Sequence, residues 1–393
     1  MSEPALPPLP DPGEGGGCSA GNHSSAGGTG CEQDELLALL TLEQVPGTGP
    51  VRIRELLREA AASGHGSPAR TALELLRRKA GSSELDRAAL RAADMLRDFN
   101  AMAHGEGVPP VHLLGIGLRR YPEALYDLHD APPTLFARGE LELLDRPCVA
   151  IVGTRRSTRY GERVASGIAS VLARAGACIV SGLATGIDAE AHRAALACGG
   201  ATAAVLGTGI DRTYPVAHER LQAEIAERGL VLSEHAPGER ADGGAFPRRN
   251  RIIAALAELV IVVEAGARSG ALITALRALE LDRKVAAVPG PIDSARSAGS
   301  NALLRDGAHV LVDVEDALAL AGLTPAPRHP DPALGPEAMA IFDVLAANGG
   351  SLRLEELATR MNVPLERCLV AVTELELAGA VVCDFTGEVT RRI

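Results

Sequence analysis

The central part of the chain alternates short apolar runs with segments whose apolar residues recur at helical spacing. The apolar runs predict buried strands at Cys148–Val152, Cys178–Ser181, Thr202–Leu206, Leu230–Ser233, Leu259–Val263, Val285–Val288 and His309–Val312. The intervening segments predict helices at 161–175, 187–198, 217–228, 248–257, 271–281 and 300–306. This alternation predicts an α/β fold, with an extended Rossmann-like, doubly wound and mostly parallel sheet covered by helices on both faces.

A helical pattern precedes the sheet region. Two short helices joined by a Pro-Gly-x-Gly turn at Val45–Pro50 predict a helix-hairpin-helix (SAM-like) domain over 33–105. Such a hairpin can direct backbone N–H groups at a DNA phosphate, and a plain helical packing module has the same pattern. Residues 1–32, rich in Pro, Gly and Ser, predict a disordered tail, and the Rossmann-like domain with its lead-in is expected over 106–322.

A Pro-rich linker at 323–335 leads into a second predicted domain, a winged-helix-like one over 336–393. Its expected elements are three helices and a terminal hairpin with a Thr-Gly turn: 336–347, 353–361, 365–378 and 381–390. The third helix carries Glu366, Glu374 and Glu376 against the single Arg367. That charge balance suits phosphates poorly, so a protein-contact role is favoured over the DNA contact usual for this motif.

Composition and charge narrow the possible partners and cellular location of the protein. The 393-residue chain has a formal net charge of -11, which taken alone argues against a nucleic-acid partner. From Asp145 to Asp316, however, 20 Lys and Arg residues balance 20 Asp and Glu residues, so the acidity lies outside the sheet region. None of the seven cysteines forms a C-x-x-C pair, and the sequence predicts no metal, cofactor or disulfide framework. Without a signal peptide or an apolar run approaching ~18 residues, a cytoplasmic protein with no membrane partner is expected.

Candidate chemistry clusters at the ends of the predicted strands, where α/β folds bind ligands. The first strand runs into Gly153, Thr154, Arg155 and Arg156, a turn that matches neither G-x-G-x-x-G nor a Walker A loop. Its arginines suit a phosphate chain, and a solvated loop with clustered arginines is the plain alternative. Small residues in the next turn, Ser181 and Gly182, allow close approach of a ligand backbone.

Two further segments open helices. In the first, Arg248 and Arg251 share a helix face, Asn250 can donate and accept hydrogen bonds, and Phe246, expected just before the helix, could stack on a base or pack as a hydrophobic staple. In the second, Ser269 and Gly270 could hold another phosphate. The predicted DNA-binding set is Gly153, Thr154, Arg155, Arg156, Ser181, Gly182, Phe246, Arg248, Asn250, Arg251, Ser269 and Gly270, with no catalytic residue.

Taken in order, these segments resemble the DNA-processing protein A (DprA, also called Smf) family. The resemblance covers about residues 110–322 and rests on Tyr121–Gly139, Val149–Arg156, Ser181–Asp188, Ala204–Pro215, Ser233-Glu234, Phe246–Ile253, Val263–Ala275, Val285–Gly290 and Gly299–Asn301. Arg155 matches the arginine of the family's Gly-Ser-Arg turn, in which Thr154 replaces serine. Phe246 and Arg251 match its Phe-x-x-Arg-Asn-Arg segment. Thr185 stands where the family often has a basic residue.

The resemblance implies a homodimeric, non-enzymatic protein that binds and protects single-stranded DNA and helps load RecA recombinase in natural transformation. Two alternatives stay open. A nucleotide phosphoribohydrolase of the lysine-decarboxylase-like class has a similar fold plan, but its Pro-Gly-Gly-x-Gly-Thr turn is replaced here by Glu264–Gly270. A transcriptional regulator would use the terminal winged helix, whose third helix is acidic.

Overall fold

The computed structural model describes residues 27–63, 67–80, 82–102, 109–241, 243–325, 334–348, 350–378, 380–384 and 386–391. The chain divides into two compact units between Leu323 and Thr324. Most of the predicted tail lies outside the described residues, but 27–32 already belong to the first helix. The predicted linker also falls largely outside them, at 326–333.

A nine-stranded sheet forms the centre of the first unit's described residues. Its strands are β1 (Val111–Gly115), β2 (Thr134–Gly139), β3 (Cys148–Val152), β4 (Cys178–Ser181), β5 (Ala201–Leu206), β6 (Leu230–Ser233), β7 (Leu259–Val262), β8 (Lys284–Ala287) and β9 (His309–Val310). They lie in the order β1-β2-β6-β5-β4-β3-β7-β8-β9, and only the β1–β2 and β2–β6 pairs are antiparallel. The predicted mostly parallel α/β sheet is therefore confirmed, while the two antiparallel strands were not predicted.

Helices surround this sheet. Four helices precede the first strand in the chain: α1 (Gly27–Glu43), α2 (Pro50–Ala62), α3 (Pro68–Ala80) and α4 (Ser82–Ala101). Those that follow or alternate with its strands are α5 (Arg159–Arg174), α6 (Ile187–Ala197), α7 (Glu219–Arg228), α8 (Ala245–Leu256), α9 (Gly270–Glu280), α10 (Ala298–Arg305) and α11 (Asp316–Ala321). Helix α8 begins three residues before its predicted start, which changes the position of Phe246.

The core lies on both faces of the sheet because successive side chains of a strand point to opposite sides. On β3, Ala150 and Val152 join one buried cluster, and Val149 and Ile151 join the other. Leu39, Ile53 and Leu56 of the N-terminal helices belong to the same cluster as Ala150. Leu40 and Phe99 of these helices pack instead with Phe136, on the opposite face of β2. The N-terminal helices thus contribute to the core on both faces of the sheet, and their assignment as a distinct helix-hairpin-helix domain stays a prediction.

The second unit contains α12 (Pro336–Ala347), β10 (Ser351–Arg353), α13 (Leu354–Met361), α14 (Leu365–Leu377), β11 (Val381–Cys383) and β12 (Glu388–Arg391). Its strands form an antiparallel sheet in the order β10-β12-β11. The three helices and the β11–β12 hairpin lie where the sequence predicts them, whereas β10 was not predicted. Among the described residues of either unit, no helix combines the length and the apolar content needed to cross a bilayer.

Candidate nucleic-acid interface

A cleft of about 660 Å³ opens at the carboxyl ends of β3 and β7. Strand order reverses between these two strands, since β4 continues from β3 on one side and β8 from β7 on the other. Such a reversal leaves a crevice between the loops, where open α/β sheets bind their ligands. The cleft lining includes Gly153–Arg156, Ala184, Asp188, Phe246, Pro247, Arg249, Asn250, Ile253, Gly266 and Arg268–Ala271.

The loop Gly153–Thr158, called here the arginine loop, forms one wall. Its Thr154 N–H donates to the Glu264 carbonyl at 2.7 Å, and the Thr154 hydroxyl accepts from the Arg156 N–H at 3.2 Å. A Cβ on Gly153 would come within 2.5 Å of Ile187, so glycine is needed there. With the backbone fixed in this way, the side chains of Arg155 and Arg156 are exposed at the cleft.

Helix α8 forms the opposite wall, and its helical phase decides which of its residues face the cleft. Phe246, Arg249, Asn250 and Ile253 all line the cleft. They have the i, i+3, i+4 and i+7 spacing that places residues on one helix face. Phe246 lies in the first turn of α8 rather than before it, which corrects the expectation from sequence.

The Phe246 ring is half-buried between two neighbours. Its centroid lies 5.1 Å from that of Tyr214, with the planes tilted by 39°. The Arg155 guanidinium lies 5.2 Å from the Phe246 centroid, within cation–π range. An aromatic ring from the first turn of α8 and a cation from the arginine loop are therefore adjacent at the cleft.

Arg249, which the sequence analysis did not select, is the buried cation of the cleft and is 3% exposed. Its guanidinium donates to the Gly182 carbonyl at 2.8 Å and to the Val205 carbonyl, and its Nε donates to Asn250 Oδ1 at 3.2 Å. Burial lowers the pKa of Arg249 to about 10, and the attraction of Asp188 opposes that shift. At neutral pH this arginine is still charged, so it adds a fixed positive charge at the base of the cleft.

Asp188 lies at the base of the cleft near Arg249. Its carboxylate accepts from the Gly182 N–H at 3.2 Å. Burial raises the pKa of Asp188, while Arg249 and backbone N–H groups oppose that rise. Its hydrogen bond supports the turn that follows β4.

Four of the predicted site residues do not line the cleft. Arg251 is 7% exposed and forms ion pairs with Asp130 at 2.9 Å and Glu234 at 2.6 Å. These two carboxylates neutralise its charge. Arg248 is exposed and lies outside the cleft lining. The prediction that Arg248 and Arg251 share a binding face is therefore not supported by the geometry.

The other two are Ser181 and Gly182, both buried beneath the cleft. The Ser181 hydroxyl donates to the Ile151 carbonyl at 2.6 Å. Gly182 uses its N–H on Asp188 and its carbonyl on Arg249. Both residues support the cleft from below instead of offering groups to a ligand.

The start of α9 completes the cleft. Ser269 is the N-cap, and its hydroxyl accepts from the Ala271 N–H at 3.3 Å. The Asn250 amide donates to the Gly270 carbonyl at 3.3 Å and so links α8 to α9. Arg268, which the sequence analysis did not select, also lines the cleft. Its position just before an N-cap at a strand end is the sequence feature that could have identified it.

Comparison with known proteins identifies the family. The family model for DNA recombination-mediator protein A matches residues 112–322, more than half of the chain. The chain belongs to this family. The resemblance to the DprA/Smf family is therefore confirmed, and membership places the chain among DNA-processing proteins.

Individual relatives agree with this assignment. The chain is 48% identical over 203 residues to the DNA processing protein DprA of Streptococcus pneumoniae, covering 51% of this chain and 70% of the relative. It is 39% identical over 280 residues to the protein Smf of Escherichia coli K12, covering 69% and 75%. A crystal structure of the S. pneumoniae protein is similar with a TM-score of 0.60 and 36% identity, covering 72% of this chain and 97% of that one.

Proposed function

We propose that the first unit binds single-stranded DNA in the cleft between the arginine loop and α8, without covalent chemistry on the strand. The observation that carries this proposal is the adjacency of Arg155 and Phe246 across the cleft. Proteins that bind single strands combine cations that follow the phosphates with aromatic rings on which bases stack. In this assignment Arg155, Arg156 and Arg268 contact phosphates and Phe246 stacks on a base.

Buried groups under the cleft support the same assignment. Arg249 donates to two backbone carbonyls and a side-chain amide, and none of these three acceptors is a carboxylate. A fixed cation in a partly desolvated site attracts a polyanion more strongly than an exposed one. Thr154, Ser269 and the glycines Gly153 and Gly270 shape the loops and allow the DNA backbone to approach closely.

A phosphoribohydrolase is the enzyme alternative, and the cleft supports it less well. Among the described residues that line the cleft, Asp188 supplies the carboxylate, and it is buried with its oxygen bonded to a backbone N–H. A general acid or base must reach a substrate proton, either directly or through one water. Asp188 is placed instead to hold the Gly182 turn.

We further propose that the protein acts in the cytoplasm as a homodimer that protects incoming DNA and helps load RecA recombinase during natural transformation. Family membership supports this role. On α9, the side chains of Leu276 and Leu279 are exposed, as is Val310 on the edge strand β9. Apolar surface of this kind suits protein contacts. A monomer in light scattering at tens of micromolar would contradict the dimer.

The decisive experiment compares single-stranded with duplex DNA. Fluorescence anisotropy of a labelled oligo-dT and of a duplex of equal length, each at two salt concentrations, gives affinities and salt slopes. We expect tighter binding of oligo-dT, with an affinity that falls as salt rises because phosphate contacts release counterions. Equal or tighter duplex binding, or no binding at all, would overturn the proposal. A nucleotide-hydrolysis assay tests the enzyme alternative directly.

A further inference from the structure

Glu264 is a buried acidic residue at the carboxyl end of β7, next to the N-terminus of α5. It follows β7 by two residues and is 5% exposed. Its side chain points at the N-terminus of α5 and lines a second cavity, of about 570 Å³, with Thr158 and Tyr160. Glu264 does not line the cleft itself.

Glu264 holds the arginine loop at both ends. At one end its backbone carbonyl accepts from the Thr154 N–H at 2.7 Å. At the other end its carboxylate Oε2 accepts from the Thr158 N–H at 2.9 Å and from the Thr158 hydroxyl at 3.4 Å. The residues between these two anchors include Arg155 and Arg156.

Two glycines make room for this residue. A Cβ on Gly161, in the first turn of α5, would come within 2.5 Å of Glu264 Oε2. A Cβ on Gly153 would come within 3.0 Å of the Glu264 carbonyl oxygen. Gly161 therefore leaves room for the Glu264 carboxylate and Gly153 for its backbone carbonyl, as the glycines of a nucleotide-binding loop leave room for a phosphate.

The N-terminus of a helix attracts anions because its first N–H groups are unpaired and the helix dipole is positive there. In dinucleotide-binding folds of this architecture, a pyrophosphate takes that place after the first strand. We propose that the Glu264 carboxylate takes the place of a ligand phosphate at α5, and thereby positions Arg155 and Arg156 for DNA. Glu264 is thus a positioning residue that also keeps free phosphates out of this helix terminus.

The predicted loss of DNA contacts rests on the proposed DNA-binding function, whereas the predicted binding of a small anion at α5 does not. Without the carboxylate, the Thr158 N–H loses its partner and the arginine loop loses one anchor. Arg155 and Arg156 then no longer lie where the cleft needs them, and phosphate contacts are lost. Independently of DNA, the vacated helix terminus should accept a small anion from solution.

The test uses the full-length chain with Glu264→Ala, Glu264→Gln and a matched control. The control is Glu190→Ala, which removes a first-turn carboxylate from the neighbouring helix α6 without touching the arginine loop. Oligo-dT affinity is measured against salt concentration. The melting temperature is measured in formate and in chloride at equal ionic strength, with formate as the probe for the vacated carboxylate position.

We expect Glu264→Ala to weaken oligo-dT binding about tenfold and to flatten the log affinity–log salt slope by about 1.4, the value for two lost phosphate contacts on a single strand. Formate should raise the melting temperature of this variant more than that of the wild type and restore part of the affinity. Glu264→Gln keeps an oxygen that accepts from Thr158, so its slope should stay near the wild-type value. Glu190→Ala should behave as wild type.

An unchanged affinity and slope in Glu264→Ala would overturn the inference. So would a loss of affinity with an unchanged slope and no effect of formate, because that result describes a residue that only supports the fold. If the alanine variant fails to fold, a flattened slope in Glu264→Gln contradicts the expectation. If the wild type does not bind oligo-dT, the proposed function fails, while the formate-dependent melting temperature still tests the anion position.

Discussion

Helices α8 and α14 differ in the charge of the residues that they present, although a DNA contact could be expected at both. Helix α8 presents Phe246 and Arg249 to a cleft whose other wall carries two more arginines. Helix α14 has three exposed glutamates, and its single arginine, Arg367, forms an ion pair with Glu337. For the proposed phosphate binding, the charges around each helix are therefore more informative than the position of the helix in a motif.

The same contrast occurs inside α8. Arg249 and Arg251 are two residues apart, so they point to different sides of the helix. Both are buried, but Arg249 bonds to backbone carbonyls, whereas Arg251 pairs with Asp130 and Glu234. Arg249 thus has no carboxylate among its hydrogen-bond acceptors, whereas Arg251 has two, so identical residue types in one helix have different electrostatic surroundings.

Replacement of Arg251 should have the largest effect, and it should act on stability. Arg251→Met leaves Asp130 and Glu234 without their shared partner. Breaking a fully buried ion pair costs about 3–5 kcal/mol, and because Asp130 is partly exposed to solvent we expect a loss at the lower end, about 3 kcal/mol. Urea unfolding measures this loss in the free energy of unfolding. The oligo-dT salt slope of the folded protein should match the wild type, and a flattened slope would place Arg251 among the phosphate contacts after all.

Replacement of Phe246 should reduce affinity without changing the number of phosphate contacts. Phe246→Ala removes the stacking surface, which is worth roughly 1–3 kcal/mol per base. Anisotropy with oligo-dT should show weaker binding and an unchanged salt slope. A variant with a lower melting temperature and unchanged affinity would mean that the ring only packs against Tyr214.

Replacement of Arg155 should change the salt dependence. Arg155→Ala removes one phosphate contact and should flatten the log affinity–log salt slope by about 0.7. Arg159→Ala is the matched control, because Arg159 is an exposed arginine at the start of α5 that does not line the cleft. Equal slopes for Arg155→Ala and the wild type would exclude the arginine loop as the DNA site.

Removal of the C-terminal unit should have the smallest effect. Because α14 exposes glutamates and pairs its arginine internally, deletion of residues 336–393 should leave most of the oligo-dT affinity intact. The same titration measures it. A loss of tenfold or more, about 1.4 kcal/mol, would show that this unit contributes to single-strand binding.

The sequence by itself determined the alternation of strands and helices, the Gly-rich turns at strand ends and the family. These features are local: apolar runs set strands, apolar spacing sets helices, and turn residues mark the loops between them. The strands β1 and β2 escaped prediction because β2 pairs antiparallel with β6, a partner distant in the chain, and β1 joins the sheet through β2.

Only the tertiary structure decided which arginines face the cleft. The phase of α8 depends on its start at Ala245, and a shift of one or two residues moves a side chain to another helix face. The pairing of Arg251 needs Asp130 and Glu234, which the fold brings together across distant segments. Burial and charge pairing arise from such long-range contacts, so a sequence pattern can place an arginine on a helix but cannot tell whether its charge stays available.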